Sequence, residues 1–380
     1  MRIRIATVTV ASVAISLVAS RAAAQGSFSQ QGFGYPTGQL SSYSLGMGGS
    51  LAEFDPLSPV NPSSLAVWGR AGLYVQYDPE FRRVSSGGRT DRTTTSRFPV
   101  VATGVPIGQR ATLGISSSTF LDRTWSTSSD AGGRIGDDSV VFTDRFKVIG
   151  AINDVRLGFS WTFSPRFVVG VGGHVLVGEN RISVSREFPD SLGFGSLLEN
   201  FNIAYTGLAA SAGVQFRPSR ALGVAASGRL GGTLRARSSD TLVSRASVPD
   251  RFGVALRYDG FTGATIAVRA DRTLWTQMDA LGSDRVRTRD GWDFGLGGDF
   301  AGPRFLDTQM SLRAGARRRT LPFSPGSEDV TENAFVLGVG LPLAASRAGV
   351  DLALQRATRS GGGGAREHAW TISVGLSVRP

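Results

Sequence analysis

The sequence predicts an all-β fold, namely a transmembrane outer-membrane β-barrel of about 14 antiparallel strands. Three observations predict it: an export segment at the N-terminus, long runs of alternating apolar and polar residues, and joins that are alternately short and long. Glycine accounts for 50 of the 380 residues, and 41% of the chain is hydrophobic. A barrel whose inner face is polar reaches this balance without any long apolar stretch.

Residues 1–24 are predicted to be a secretory signal peptide. Arg2 and Arg4 form its positive end, residues 5–19 are apolar, and Ala22 to Ala24 supply the small residues that a signal peptidase accepts. A membrane anchor is the alternative, but the apolar stretch is short for a spanning helix. We therefore expect the mature chain to be exported and to enter a membrane, if it does, as strands.

Strict period-two alternation marks the predicted strands. In the last run Trp370, Ile372, Val374, Leu376 and Val378 share one face, and small or polar residues take the other. Such runs extend over roughly 9–11 residues, the length that a tilted strand needs to cross a bilayer. The predicted strands are 70–79, 95–105, 109–120, 154–164, 166–178, 204–217, 220–235, 250–259, 262–272, 291–301, 307–319, 333–343, 347–357 and 368–380.

The joins between these strands alternate in length. Short joins lie at 106–108, 164–166, 218–219, 259–260, 302–303 and 345–346. Longer, polar joins lie at 80–94, 121–153, 179–203, 236–249, 273–290, 320–332 and 358–367. Short periplasmic turns and long external loops are typical of outer-membrane barrels. Trp68, Trp275, Trp292 and Trp370 lie near strand ends, where an aromatic belt is expected. A soluble β-sandwich or propeller is the alternative fold, although no propeller repeat is visible.

Residues 25–69 do not alternate, yet they contain too many apolar residues for a free leader, the alternative interpretation. We expect this region to pack inside the barrel, which then comprises residues 70–380. The region contains the segments Gly46-Met47-Gly48-Gly49, Asp55-Pro56 and Asn61-Pro62-Ser63. These segments resemble the N-terminal hatch of the FadL-like transporters of hydrophobic compounds and of the related PorV-type proteins.

The resemblance implies a fourteen-stranded barrel closed by a hatch of about this length. The implied hatch-motif residues are Gly46, Gly48, Gly49, Asp55, Asn61 and Pro62. This chain departs from the family pattern at Ser63, where alanine is usual, and at Pro380, where barrels commonly end in an aromatic residue.

Catalytic and metal chemistry is not expected. The chain has no cysteine and two histidines, too few soft ligands for zinc, haem or an iron–sulfur cluster, so we predict no cofactor. No arrangement of catalytic residues rises above chance either, so we predict no enzyme activity. His174 lies on the small-residue face of its strand, with Gly170 and Gly172. It is either a base acting on a serine, as in outer-membrane lipases, or a hydrogen-bonded lumen residue, and we favour the second.

Charged residues on the polar faces of the strands are predicted to line the lumen. The predicted lumen set is Arg156, His174, Arg229, Arg257, Arg269, Asp293, Asp299, Arg313, Arg317 and Asp351. One interpretation is an arginine–aspartate network that bonds the strands to the hatch. The other is a cationic lining that attracts a carboxylate or another anionic head group, because arginine binds carboxylates bidentately.

One long join is unusually apolar. Its apolar residues are Phe188, Leu192, Phe194, Leu197, Leu198 and Phe201. The join either folds over the barrel mouth and buries its own cluster, or it captures apolar ligands, as the resemblance implies. Arginines of the joins are predicted to pair with phosphates of outer-membrane lipid and lipopolysaccharide; they are Arg82, Arg83, Arg89, Arg92, Arg285, Arg287 and Arg289. Nucleic-acid binding is not expected, because the basic residues are scattered among acids.

The leading functional hypothesis is a passive channel for hydrophobic molecules, such as long-chain fatty acids, in the outer membrane of a Gram-negative bacterium. The ligand would leave through hatch movement or sideways through the wall, where the strand pairing is predicted to be weak at Gly170, Gly172, Gly173, Pro99 and Pro106. The alternative is a PorV-type scaffold or shuttle for exported proteins.

Overall fold

Fourteen antiparallel strands close into a barrel in the computed structural model of the chain. The structure describes residues 34–379 except 87–88, 136–137, 190–194, 282–286, 306–307, 325–327, 344–346 and 362–365. The predicted signal peptide, residues 25–33 and Pro380 lie outside the described residues. Each strand pairs with its neighbours along the chain, and the last strand pairs with the first, so the wall has no free edge in the ladder order. The predicted strand number is confirmed.

The barrel strands, labelled β1 to β14 in chain order, have these bounds. They are β1 Gly72–Ser86, β2 Arg89–Arg97 with Val100–Ile107, β3 Ala111–Asp122, β4 Asp138–Ser164, β5 Phe167–Glu187, β6 Leu197–Phe216, β7 Leu222–Ser238, β8 Arg251–Phe261, β9 Ala264–Thr273, β10 Gly291–Phe305, β11 Thr308–Leu321, β12 Val330–Leu343, β13 Ala348–Ser360 and β14 Arg366–Val378.

Alternation places apolar side chains outside and small or polar side chains inside. On β4, Leu157 and Phe163 are more than half exposed on the outer face, whereas Arg156 and Ser160 face inward and are buried. This is the reverse of a soluble barrel, and it suits a wall that faces lipid.

The outer ends of several strands extend beyond the predicted bounds. β4 begins at Asp138 rather than at 154, and Trp125–Ile135 pairs with its outer part. A second outer hairpin is formed where Thr241–Ser247 pairs with β7. Two two-residue strands, Arg287–Thr288 and Phe323–Ser324, pair with each other. Beyond the membrane both faces of a hairpin contact water, so the apolar alternation that marks a strand disappears there.

The described part of the wall contains a seam between β2 and β3. Val100–Ile107 pairs with β3, but in the part of the chain that the structure describes Arg89–Arg97 pairs only with β1. Pro99 interrupts β2 at this point, because proline lacks an amide hydrogen. The freed outer end of β3 pairs instead with Tyr35–Pro36.

The ladders that contain Gly170, Gly172 and Gly173 are continuous on both sides of β5. The predicted weak point at these glycines is therefore wrong. It is also wrong at Pro106, which pairs with Thr112 of β3, and the seam lies at Pro99. Gly170 instead allows the chain at Ser63 to approach the wall, since a Cβ at position 170 would lie 2.3 Å from the backbone nitrogen of Ser63.

Residues 34–69, called here the N-terminal segment, pack against the inner face of the wall. The segment contains helix α1 (Ser42–Gly46) and a 3₁₀ helix (Pro62–Trp68). Asn61 caps the 3₁₀ helix, with its side chain accepting from the Ser63 amide. Met47, Leu51 and Leu65 are almost fully buried. Among the described residues, no helix is both long and apolar enough to cross a membrane.

The aromatic-belt prediction is wrong for two of the four tryptophans. Trp68 is 1% exposed and packs inside the barrel beside Gly104. Trp275 is buried and packs on Phe120 at the start of an outer 3₁₀ helix (Trp275–Leu281). Trp292 and Trp370 are each 45% exposed. All four lie near strand ends, and only the fold decides which side of the wall each ring occupies.

Candidate functional site

Glycines on the inner wall form slots for the N-terminal segment. A Cβ on Gly297 or Gly315 would lie 2.2 Å from the backbone of Met47. A Cβ on Gly213 would lie 2.0 Å from the Asn61 side-chain oxygen. At these sites the segment approaches the wall more closely than any residue type other than glycine allows, through its backbone at Gly297 and Gly315 and through the Asn61 side chain at Gly213.

Three of the predicted hatch glycines belong to one tight turn. Gly48 and Gly49 have φ of +64° and +78°, a backbone conformation that favours glycine. A Cβ on Gly48 would also lie 2.6 Å from the carbonyl oxygen of Ala316 on β11. Gly46 lies against Gly338 of β12. The turn therefore fits its slot only as glycine.

Asp55 and Asn61 hold the segment's internal loops. One Asp55 carboxylate oxygen accepts from Ser41 Oγ at 2.5 Å and from Ser58 Oγ at 2.6 Å, and the other accepts from the Leu57 amide at 3.0 Å. Burial raises the pKa of Asp55 despite these bonds. The Asn61 amide donates to the Glu53 carbonyl at 3.1 Å and to the wall at Ala226 O, 3.4 Å away.

Pro62 opens the 3₁₀ helix that follows Asn61, directly against the wall. Its carbonyl carbon would lie 2.4 Å from a Cβ on Gly170. The structure thus places the hatch-motif glycines against β10 to β12, and Asn61 and Pro62 against β5 to β7, whereas Asp55 bonds residues of the segment itself.

Tyr35 lies at the centre of a buried ionic cage near the outer mouth. Four guanidinium groups lie 4.5–5.4 Å from its ring centroid. The eight charged members of the cage are Arg82, Arg97, Arg319, Arg359, Glu80, Asp122, Glu332 and Glu367. The four positive charges balance the four negative charges, so the cage is neutral although it is buried.

The Tyr35 hydroxyl joins the two sides of this cage. It donates to Glu332 Oε2 at 2.9 Å and accepts from Arg359 Nη2 at 2.8 Å and from Arg319. Burial raises the pKa of the hydroxyl, so it remains a donor. Arg82 was predicted to pair with surface lipid; it instead bonds Glu80 at 2.5 Å inside the barrel, because β1 continues past residue 79 and its even positions face inward.

A second network holds the middle of the segment. Glu53 Oε1 lies 3.4 Å from Arg251 and 3.5 Å from Arg269. Arg269 also contacts Asp293, which forms a two-bonded ion pair with Arg317 at 2.8 and 2.6 Å. Such paired geometry gives the stronger class of charged hydrogen bond.

Nearer the short turns, Arg313 bonds Asp351 at 2.5 Å and Asp299 at 3.3 Å. Its guanidinium carbon lies 4.1 Å from the centroid of the Tyr43 ring, so this group also holds the segment. Arg257 pairs with Asp259 at 2.9 Å and is more exposed than the others.

His174 joins a serine and an aspartate. Its Nε2 lies 2.8 Å from Ser211 Oγ and its Nδ1 lies 2.8 Å from Asp154 Oδ1. Asp154 Oδ2 accepts from Gln39 of the N-terminal segment at 3.1 Å and from Arg229 at 3.4 Å. The distances match those of a catalytic triad, but the aspartate is shared with the segment and all three residues are buried, so the arrangement ties the segment to the wall.

Arg156 differs from the other lumen arginines. It is 3% exposed, and within the described part of the chain its Nε and Nη1 have no hydrogen-bond partner. The hydroxyls of Ser116, directly across the ladder on β3, and of Ser160 on the same strand are also buried without partners. These donors form a polar site beside Leu65, where a bound anion or water molecule would accept their hydrogen bonds.

The outer mouth is apolar. Leu197 and Leu198 are more than 60% exposed, and Phe201 is 42% exposed at the start of β6. Phe188 packs edge-on against Phe142, whereas Leu192 and Phe194 lie outside the described residues. Below them a buried apolar cluster crosses the mouth; it comprises Phe120, Leu121, Ile152, Leu176, Tyr205, Leu234, Ala236, Val248, Trp275, Met278 and Phe323.

A cavity of about 50 Å³ lies beneath this cluster, lined by Phe120 and Trp275 on one side and by Arg229, Arg269 and Arg317 on the other. That volume holds a few water molecules, whereas ligand pockets usually measure about 300–1,000 Å³. This cavity is therefore too small for a ligand of ordinary size in this conformation. Within the described residues, no group of three or more acidic or histidine side chains is placed to hold a metal ion.

These features define a fourteen-stranded β-barrel of the outer-membrane type, with its own N-terminal segment packed against the inner face of the wall. No protein-family model and no curated protein matches the sequence. Solved structures do: a FadL homologue of Pseudomonas aeruginosa is similar over 91% of this chain and 99% of its own, with a TM-score of 0.64 and 15% identity. The toluene transporters TbuX of Ralstonia pickettii and TodX of Pseudomonas putida match 90% and 92% of this chain, and 98% and 99% of their own.

Their TM-scores are 0.59 and 0.56, at 12% and 13% identity. The predicted resemblance to FadL-like barrels is thus confirmed at the level of the fold.

Proposed function

We propose that the chain is a passive channel for hydrophobic molecules in the outer membrane of a Gram-negative bacterium, exported by a cleaved signal peptide at residues 1–24 and not an enzyme. The observation that carries the proposal is the apolar mouth, in which exposed Leu197 and Phe201 lead to a buried apolar cluster above an otherwise charged lumen. A diffusion porin has a water-filled interior instead. The structurally similar toluene transporters and FadL homologue support a hydrophobic ligand.

The N-terminal segment, with residues 25–33, acts in this proposal as a hatch. The cavity beneath the mouth is too small for a hydrophobic ligand, so transport requires that the segment move. The seam at Pro99 offers a second exit, because there the segment itself, through Tyr35–Pro36, occupies the edge of β3. Movement of this short strand would open the wall sideways.

Arg156 is proposed to bind the acidic end of a ligand. Its Nε and Nη1 are buried without partners in the described part of the chain, and no carboxylate there forms an ion pair with it. The other arginines of the predicted lumen set each form an ion pair; they are Arg229, Arg257, Arg269, Arg313 and Arg317. A carboxylate accepts two hydrogen bonds from a guanidinium in a plane. The lumen set therefore divides into positioning residues and one head-group site.

The capture surface is tested by the triple variant Leu197→Ser/Leu198→Ser/Phe201→Ser. We expect uptake of a radiolabelled long-chain fatty acid by cells expressing the chain to fall about tenfold, which corresponds to about 1.4 kcal/mol of lost binding. The matched control is Leu242→Ser/Val243→Ser on the outer hairpin, where both side chains are exposed and lie away from the mouth cluster. Equal uptake by the two folded variants would show that the apolar mouth does not capture the ligand.

The head-group site is tested by Arg156→Gln with two ligands. Uptake of a fatty acid should fall about tenfold or more, because a hydrogen bond to a charged group contributes about 1.5–3 kcal/mol. Uptake of a neutral hydrocarbon through the same protein should be unchanged, which makes it the internal control. A parallel loss for both ligands would assign Arg156 to the packing of the segment instead.

A PorV-type scaffold for exported proteins uses the same exposed side chains at the mouth. Purification from outer membranes distinguishes the two functions. Stoichiometric recovery of an exported protein, together with full fatty-acid uptake by the triple mouth variant, would favour the scaffold over the channel.

A further inference from the structure

A row of basic residues crosses the outside of the barrel near its outer end. Arg92 on β2 is the ladder partner of Arg83 on β1, and Arg83 is the ladder partner of His368 on β14. All three occupy outward positions, with both arginines exposed. Arg366 lies one outward position beyond His368, and Arg356 on β13 is the ladder partner of Trp370.

This arrangement is unfavourable without a counter-charge. Side chains directly opposite each other on paired strands lie about 4.5–5.5 Å apart at Cβ, and like charges in this relation destabilise the pair. No described carboxylate lies within ion-pair distance of any of the four arginines. The outward positions of β1, β13 and β14 also carry no acidic residue. The inner arginines at the same height are, in contrast, fully neutralised by the cage around Tyr35.

The surface next to the row is apolar and aromatic. Phe81 and Trp370 are ladder partners, 48% and 45% exposed, and lie one outward position nearer the short turns. Arg356 stacks over the Trp370 ring at 5.5 Å from its centroid. Ile372 and Leu376 continue the same face along β14. Arg83, Arg92, Arg356 and His368 line a groove of about 450 Å³ with these rings.

We propose that this groove binds a phosphorylated, multiply acylated lipid of the outer leaflet. The phosphate lies among Arg83, Arg92 and Arg356, because guanidinium groups bind phosphate oxygens through paired hydrogen bonds. The acyl chains then follow Phe81, Trp370 and the aliphatic residues of β14 toward the bilayer centre. The proposal assigns the predicted contact between join arginines and lipid phosphate to a groove on β1, β2, β13 and β14. It does not depend on the transport proposal.

The test is native mass spectrometry of the full barrel in detergent with diphosphoryl lipid A as the probe. The site variant is Arg83→Gln/Arg92→Gln/Arg356→Gln. The control is Arg166→Gln/Arg217→Gln/Arg220→Gln, which removes the same charge at the short turns. We expect the lipid's Kd to rise about tenfold or more in the site variant and to stay unchanged in the control, since each basic residue near a charged lipid surface contributes to binding.

Three further results decide the proposal. Dephosphorylated lipid A should bind the wild type as weakly as the phosphorylated lipid binds the site variant, and equal binding would refute a phosphate site. Displacement of the lipid by excess inorganic phosphate would indicate a free-anion site and overturn the lipid assignment. A photoreactive acyl chain on bound lipid A should label the wild-type peptide that contains Trp370 or Phe81, a result that requires no variant; labelling elsewhere alone would overturn the proposal.

Discussion

The variant Gly213→Ala is expected to release the N-terminal segment and turn a closed barrel into an ion-conducting one. The added Cβ would lie 2.0 Å from Asn61 Oδ1, the atom that accepts from both the Ser63 amide and the Ser63 hydroxyl. Overpacking of this kind costs about 1–3 kcal/mol. It would raise the population of undocked segment by about 5- to 150-fold. Single-channel current in planar bilayers measures this population directly.

Gly173→Ala is the matched control, because Gly173 has no heavy atom within 4 Å of the position that its Cβ would occupy. In the Gly213→Ala background, Asn61→Ala removes the clashing amide and should restore part of the closure. Gly213→Ala barrels that fold and conduct no more than the Gly173→Ala control would show that this slot does not hold the segment in place.

The second large effect is expected at Arg359, whose side chain is fully buried in the cage around Tyr35. Its Nε bonds Glu332 at 2.5 Å, and its Nη2 lies 2.8 Å from the Tyr35 hydroxyl and 3.0 Å from Glu80 Oε1. Replacement by glutamine leaves the carboxylates around it with too few cations. Removing one partner of a buried ion pair costs about 3–5 kcal/mol, so we expect a loss of this size in the free energy of unfolding in urea.

Arg318→Gln is the control, since Arg318 lies on the exposed face of β11 and its loss should change stability by less than about 0.5 kcal/mol. The double variant Arg359→Gln/Glu332→Gln should lose less free energy of unfolding than the two single variants lose in sum, because it removes both an anion and its cation. Similar stabilities for Arg359→Gln and Arg318→Gln would mean that the cage contributes little to the fold.

The number of strands and the face of each residue follow from the sequence alone. Period-two alternation is a local property of an extended chain, so Leu157 faces lipid and Arg156 faces the lumen in any register that keeps the strand. The same local pattern fails where both faces meet water or protein. For this reason the alternation predicts that the first strand ends at residue 79 and that Arg82 lies in a surface join, whereas the strand continues to Ser86.

The candidate site was only partly predictable, for a related reason. The hatch motif identified Asn61 and the glycines of the segment, but nothing local indicates that Gly213 and Gly297 accommodate them. Tyr35 carries no sequence signal, and its importance arises because residues far apart in the chain converge on its ring.

The sequence by itself determined a barrel of fourteen strands and the inner and outer faces of its wall, because alternation is a property of consecutive residues; export of the chain stays a prediction. Only the tertiary structure decided which lumen charges pair, which tryptophans face inward, and where the wall is interrupted. Those properties depend on strand register and on barrel closure, which bring residues such as Tyr35 and Arg359 together across more than 300 positions of the chain. Pairing energies act over a few ångströms, so they follow contact in space rather than proximity in sequence.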